Sequence, residues 1–214
     1  MKIAVIGTGK TGGEILKIGK EKHEMTGFNQ SSPPVGLENF DVIIVFVPGL
    51  AMEDLLEPLI RAKRPVVIGS TGFTWPDHFQ VPNAPWVYAS NFSLGMQKIK
   101  KWIESSLSKG IECKIHEVHH IQKQDSPSGT ALSWGKWVEK ATGIAPTITS
   151  ERKGDVVGIH RLTIDSPFET VTIEHQAKNR GLFAEGALLA AETLYQRRTL
   201  KPGLHTFEEL LCHS

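Results

Sequence analysis

The sequence predicts an α/β chain in two parts. The first is built on a parallel sheet, and the second is an α+β part with a mixed, partly antiparallel sheet. Three observations carry this expectation. The apolar run 3–6 ends directly in Gly7, Gly9 and Gly12, after which a helical pattern begins. The runs DVIIVFVP (41–48) and PVVIG (65–69) are apolar without alternation, as strands buried on both faces of a parallel sheet are. Past Phe92 the pattern changes, and the segments 111–118, 160–165 and 169–176 alternate apolar with polar side chains, as half-buried strands do.

In chain order, a strand at 3–6 is followed by a helix marked by Ile15, Leu16 and Ile18, and then by a strand at 24–28. QSSPPVGLEN is too short and too rich in proline for a full crossover helix, so a loop is expected before the strand at 41–48. A helix over 51–62, bent at Pro58, precedes the strand at 65–69, and a short strand follows at 86–89. SLGMQKIKKWIESSLSK reads as an amphipathic helix. The strand at 111–118 then delivers His119 and His120 at its C-terminal end. Pro127, Ser128 and Gly129 break it, and Thr130 is placed as the cap of a helix over 131–141. Ser166 and Pro167 turn an antiparallel hairpin, and 181–197 form a long apolar helix that returns the chain to the first part.

The first glycine cluster has the form G-x-G-x-x-G between a strand and a helix. The first glycine makes the tight turn, the second leaves room for a pyrophosphate, and the third lets helix and strand pack closely. This context makes the first part a Rossmann-like dinucleotide-binding domain, with Gly7, Thr8, Gly9, Lys10, Thr11 and Gly12 as its phosphate turn. About 20 residues further on, such domains place an acid on the ribose 2′-hydroxyl; here Asn29 is followed by Gln30, Ser31 and Ser32. With neither a repelling carboxylate nor a clamping arginine, NADH and NADPH both remain open, and Lys10 is the nearest cation for a 2′-phosphate. Ligands of such sheets lie at the carboxyl ends of the strands. That places residues 7–12, Val47, Pro48, residues 69–71 and residues 89–92 around one crevice.

The segment EVHHIQKQDSPSGTA (117–131) concentrates two imidazoles, Lys123, Asp125 and a hydroxyl-rich turn. Adjacent side chains on a strand point to opposite faces, so one of His119 and His120 faces a given pocket. The following helix start offers free backbone N–H groups and the positive end of its dipole. Together with Lys123 it suits a carboxylate. A metal centre is not expected, because zinc takes three or four convergent ligands and no cysteine lies near.

Composition narrows the function classes. A formal net charge of +1 and the absence of a long basic block argue against nucleic acid as partner. Cys113 and Cys212 are unpatterned, which suits a reducing compartment. No run approaches a membrane span, and the first residues read as a strand rather than a signal peptide, so a cytoplasmic location is expected.

Six segments, in order and spacing, resemble the dihydrodipicolinate reductase family: GTGKTGG (7–13), VIGSTGF (67–73), ASNFSLG (89–95), EVHHIQKQDSPSGTA, RKGDVVGIH (152–160) and KNRGLFAEGA (178–187). The His-His segment is the specific one. The resemblance implies NAD(P)H-dependent reduction of 4-hydroxy-tetrahydrodipicolinate, a cyclic dicarboxylate, with loss of water. A sheet of alternating strands with helices on one face has something else against its other side or edge, so a homo-oligomer, dimer or tetramer, is expected. Domains would be 1–92 with 181–214 for the dinucleotide and 93–180 for substrate and oligomerisation, hinged at 92–94 and 179–181. Gly69, Ser70 and Thr71 would border the nicotinamide ribose, and Ala89, Ser90, Asn91 and Phe92 the nicotinamide. His119 and Lys123 would be catalytic, and His120, Lys123, Gly129 and Thr130 would bind substrate. Ser70 stands where the family more usually has threonine, and Ser126 where it has alanine. A different nicotinamide-dependent reductase, or a nucleotide sensor on a decayed reductase, would not need His119, His120, Lys123 and the Ser-Gly-Thr turn together.

Overall fold

The computed structural model describes residues 1–76, 79, 83–197 and 200–212. It divides into two compact units, Met1–Ser93 with Arg180–Ser214, and Leu94–Asn179. The chain enters the first unit through β1 (Lys2–Ile6), α1 (Lys10–Gly19), β2 (Glu24–Phe28), β3 (Val42–Val45), α2 (Met52–Ala62), β4 (Val66–Ile68) and β5 (Pro85–Tyr88). The second unit holds α3 (Leu94–Ser106), β6 (Lys114–His119), α4 (Gly129–Thr142), β7 (Thr147–Arg152), β8 (Ile159–Asp165) and β9 (Thr170–Gln176). α5 (Gly181–Gln196), β10 (Gly203–Thr206) and α6 (Phe207–Cys212) complete the first.

In the first unit, six strands form one parallel sheet in the order β10-β5-β4-β3-β1-β2. β3 and β4 are wholly buried, and so is β1 past Lys2, which accounts for their unbroken apolar sequences. α5 lies beside α1 and over β3 and β4. The connection from β2 to β3 has no α-helix, only a 3-10 turn at Leu37–Asn39, as its proline content predicts. α2 is one helix across Pro58, preceded by a 3-10 turn at Gly49–Ala51. β10 and α6 have no counterpart in the expectation from sequence. In β10 only Gly203 is buried, so no apolar periodicity announces an edge strand.

In the second unit, four strands are ordered β7-β6-β8-β9; β6 and β7 are parallel, and the other two pairings are antiparallel. The hairpin of β8 and β9 forms as read from its alternation. β7 is an addition. Its sequence TITSER buries no residue fully, and it is recognisable as a strand only by its pairing. On the face covered by α3 and α4, Ile148, Ile115, Leu162 and Ile173 stand in register as one apolar row. They pack in one core with Met96, Ile103, Trp134 and Val138 of the helices. The next row on the same face is Ser150, Glu117, His160 and His175, and beyond it stand Arg152 and His119. Period-two geometry thus carries the chain from a dry core into a polar cluster along a single face.

Candidate active site

In the first unit, the residues expected to meet a dinucleotide gather at the carboxyl ends of neighbouring parallel strands. Gly7 N–H donates to the Phe28 carbonyl at 2.9 Å, Gly69 N–H to Val45 at 2.9 Å, and Ala89 N–H to Ile68 at 3.1 Å. Gly7 has φ +93°, and a Cβ there would lie 2.2 Å from the Phe46 carbonyl oxygen. A Cβ at Gly12 would lie 1.8 Å from the Gly7 carbonyl oxygen, whereas one at Gly9 would meet nothing within 4 Å. The turn is therefore compressed at both ends and open in the middle. α1 starts there with no side-chain cap and no acidic residue in its first turn. Unfilled space beside free N–H groups at a helix start fits a pyrophosphate.

Not every residue of this group turns a side chain toward a ligand. Ser70 is buried, and its Oγ accepts from Val47 N–H at 2.9 Å, tying the ends of β3 and β4 together. Asn91 accepts from Ser93 N–H at 2.8 Å. The Phe92 ring is a core group against Phe46 and Phe207. At the end of β2, Asn29 closes a tight turn: its Oδ1 accepts from the Ser31 and Ser32 N–H groups at 2.9 and 3.1 Å, and its Nδ2 donates to Thr8 Oγ1 at 3.2 Å.

The second unit gathers His119, His120, Lys123, Gly129 and Thr130 around the end of β6 and the start of α4. His119 is buried and His120 half-buried, the split that strand parity requires. The chain turns back after β6, with Lys123 N–H donating to the His120 carbonyl at 3.1 Å. The Lys123 ammonium donates to Asp125 Oδ1 at 2.7 Å. The same Asp125 carboxylate is held below its ordinary pKa, first by that Lys123 bond and also by the Gly129 N–H. Asp125 thus places its carboxylate between a lysine and a helix start. The cap of α4 is Ser128, not Thr130: Ser128 Oγ accepts from Ala131 N–H at 3.2 Å, and Thr130 lies inside the first turn. A Ser hydroxyl with extended backbone meets the N-cap requirement two residues earlier than expected. Nothing lies within 4 Å of a Cβ built on Gly129, so a ligand can approach its backbone closely.

Four contributors were not singled out from the sequence: Glu117, Arg152, His160 and Ser128 Oγ. Glu117 is 0% exposed and makes its closest approach, through Oε2, to Nδ1 of His119. Its Oε1 accepts from both terminal nitrogens of Arg152 at 3.1 and 3.2 Å and from Ser128 N–H at 3.2 Å. Burial works to raise the Glu117 pKa, but bonds from Ser150 and Ser128, the field of His119 and the Arg152 bond together bring it below the ordinary carboxylate value. Burial lowers His119, only partly offset by Glu117, so its imidazole is neutral near pH 7. His160 is pushed down to about 4, chiefly by burial and then by His119. Its Nε2 stands 3.1 Å from Ser128 Oγ, and its ring meets that of His119 edge to face at 5.0 Å. The E-V-H spacing was the available signal for Glu117, because residues two apart on a strand share a face. Arg152 had no signal of periodicity, since β7 was not recognisable, and stood out only as the first residue of the family-like segment RKGDVVGIH.

Glu117, His119 and His160 bring possible ligand atoms within 4.8 Å of one another. Arg152 and Ser128 already engage Glu117 Oε1, and Ser128 engages His160 Nε2. A guanidinium at hydrogen-bonding distance opposes a cation there, and the cluster reads as a proton-holding network.

A parallel nucleotide-type sheet joined to a mixed-sheet unit with an imidazole, a lysine and a helix start defines the class of two-domain oxidoreductases. Residues 94–211 match the family described as "Dihydrodipicolinate reductase, C-terminus". The chain is 36% identical over 182 residues to a 4-hydroxy-tetrahydrodipicolinate reductase of Xanthomonas campestris pv. campestris, covering 82% of this chain and 75% of the relative. It is 38% identical over 179 residues to the enzyme of that name from Xylella fastidiosa, covering 80% and 73%. A dipicolinate-bound dihydrodipicolinate reductase from a Paenisporosarcina species shares the fold with a TM-score of 0.79 at 19% identity, covering 98% of each chain. The chain belongs to the dihydrodipicolinate reductase family.

Proposed function

We propose that this chain is an NAD(P)H-dependent oxidoreductase that reduces 4-hydroxy-tetrahydrodipicolinate to tetrahydrodipicolinate, with loss of water, in the diaminopimelate route to lysine. The observation that carries the reading is the second-unit cluster. A lysine, a neutral buried imidazole and a helix start whose Gly129 N–H now faces Asp125, all within one sheet-and-helix unit, suit a dianionic ring that must be both held and protonated.

The open turn at Gly9 and the uncapped start of α1 are the places for the pyrophosphate, with Gly69, Ser70, Thr71, Ala89, Ser90 and Asn91 bordering the nicotinamide half. The nicotinamide cofactor supplies the hydride. Lys123 exchanges Asp125 for a substrate carboxylate and provides the proton that quenches the negative charge left by reduction. Gly129 and Thr130 offer backbone N–H groups to a carboxylate, and His120 borders the same pocket. His119, neutral near pH 7, can accept a proton or pass one on. Asn29 and its turn carry no carboxylate against a 2′-phosphate, so both NADH and NADPH fit.

No helix among the described residues is long and apolar enough to cross a membrane. A cytoplasmic homo-oligomer, dimer or tetramer, fits a biosynthetic enzyme whose second sheet carries its helices on one face. Loss of nicotinamide absorbance on adding freshly synthesised substrate, with NADH and NADPH in parallel, tests the reading. Substrate-dependent oxidation is expected; no oxidation with either cofactor, despite cofactor binding, overturns it.

A further inference from the structure

Among the described residues, Glu117 is the one fully buried carboxylate, and the reaction above gives it no contact with substrate. Its two oxygens face different groups. Oε2 stands in ion-pair contact with His119 Nδ1, and neither atom makes an aligned hydrogen bond to any group among the described residues. Oε1 collects Arg152 and the Ser128 N–H. Each contact leads to a different part of the site. Arg152 also donates to the carbonyl oxygens of Lys123, at 3.4 Å, and Asp125, and so grips the loop that carries the lysine. Ser128 caps α4, whose first turn holds Gly129 and Thr130.

We propose that Glu117 is the positioning residue of this site: one buried carboxylate that holds the His119 proton on Nδ1, leaving Nε2 for proton transfer, and that sets the Lys123 loop and the start of α4 through Arg152 and Ser128. A neutral imidazole has one donor and one acceptor nitrogen, and an ionised carboxylate can only accept, so the nitrogen beside Glu117 must carry the proton. The free Nε2 has room because residue 158 is glycine: a Cβ there would lie 3.0 Å from it. Around the imidazole stand Glu117, Arg152, Lys123 and the neutral His160, with His175 behind His160. The buried Glu117 charge is offset by Arg152 and by hydrogen bonds, the condition under which a buried ion persists.

Glu117→Gln isolates the claim. Arg152 and Ser128 donate to the Oε1 position and select the amide oxygen there, which turns the amide NH2 toward His119 Nδ1. That nitrogen must then accept, and the proton moves to Nε2. The experiment is nitrogen NMR of histidine-labelled protein over a pH series, with the His119 signals identified by their loss in His119→Asn. The wild type should show the Nδ1–H tautomer. Glu117→Gln should show Nε2–H, a lower His119 midpoint and a displaced pH profile of kcat/KM. Its kcat should fall about 100-fold, as for a misplaced acid–base group, with KM changed less than about threefold. Glu117→Asp, which keeps the charge but retracts it, should restore part of the rate and the Nδ1–H tautomer.

A wild-type Nε2–H tautomer overturns the proposal by itself, whether or not the variant folds. So does a Glu117→Gln protein with unchanged tautomer and turnover. The inference rests on the reductase reading for its kinetics but not for its tautomer. A wild-type protein with Nδ1–H and no substrate-dependent oxidation would sink the reductase reading and leave the Glu117–His119 coupling standing.

Discussion

The glycine turn of the first unit and the β6–α4 corner of the second are the two candidate sites, and they are made of opposite materials. The turn at residues 7–12 is backbone: a positive φ at Gly7, two positions where a Cβ cannot fit, one where it would stand in open space, and an uncapped helix start. The corner is side chains: a buried carboxylate, two buried histidines, an arginine bridging strand and loop, and a lysine paired with an aspartate. Backbone N–H groups have no proton to lose near neutral pH, so the turn can bind but not titrate. The corner holds groups whose protonation shifts with burial, and the proposed reaction assigns it the acid–base work.

Four substitutions break or sharpen this contrast. Lys123→Ala removes both the anion partner and the proton source, and kcat/KM should fall about 1,000-fold, at the cost of both turnover and substrate binding. Steady-state kinetics check it, and near-normal turnover would contradict the proton-donor role. Gly12→Ala forces a methyl into the Gly7 carbonyl and should cost about 3 kcal/mol of stability by urea denaturation, with no change in pH dependence.

His160 supplies the pH-dependent counterpart. Its folded pKa, about 4, lies below the ordinary 6.5, so below pH 6.5 the unfolded chain takes up a proton that the folded chain refuses. Its contribution is complete above pH 6.5 and is lost as pH falls toward 4, about 3 kcal/mol in all. His160→Gln should flatten the fall in urea stability between pH 7 and pH 4.5 by about that amount. The smallest effect belongs to Asp125→Asn, which releases Lys123 from its internal partner: KM for the dicarboxylate should drop by about two- to fivefold, or about 0.4–1 kcal/mol, with kcat little changed.

The same contrast decides what was legible in the sequence. The glycine turn depends on residues within six positions of one another, so its spacing alone was readable, as were the unbroken strands β1, β3 and β4. His119, Lys123 and Gly129 were readable because they share one short segment. Glu117 was within reach, two residues from His119 on the same strand face. Arg152 and His160 join the site only through strand register, one from β7, whose polar sequence hides it, and one from β8, across the sheet. The N-cap moved from Thr130 to Ser128 because two hydroxyls stand two residues apart and only backbone conformation chooses between them.

Cofactor binding to two variants, measured by calorimetry beside their turnover, tests the separation most directly. Gly9→Ala puts a methyl into the open space of the turn and should weaken NADPH and NADH binding at least about tenfold while leaving urea stability within about 0.5 kcal/mol of the wild type. Lys123→Ala should bind the same cofactor as the wild type does, yet fail in turnover. Unaltered cofactor binding in Gly9→Ala, or cofactor affinity lost in Lys123→Ala as deeply as turnover, would contradict the division of labour between a backbone cradle and a titratable corner.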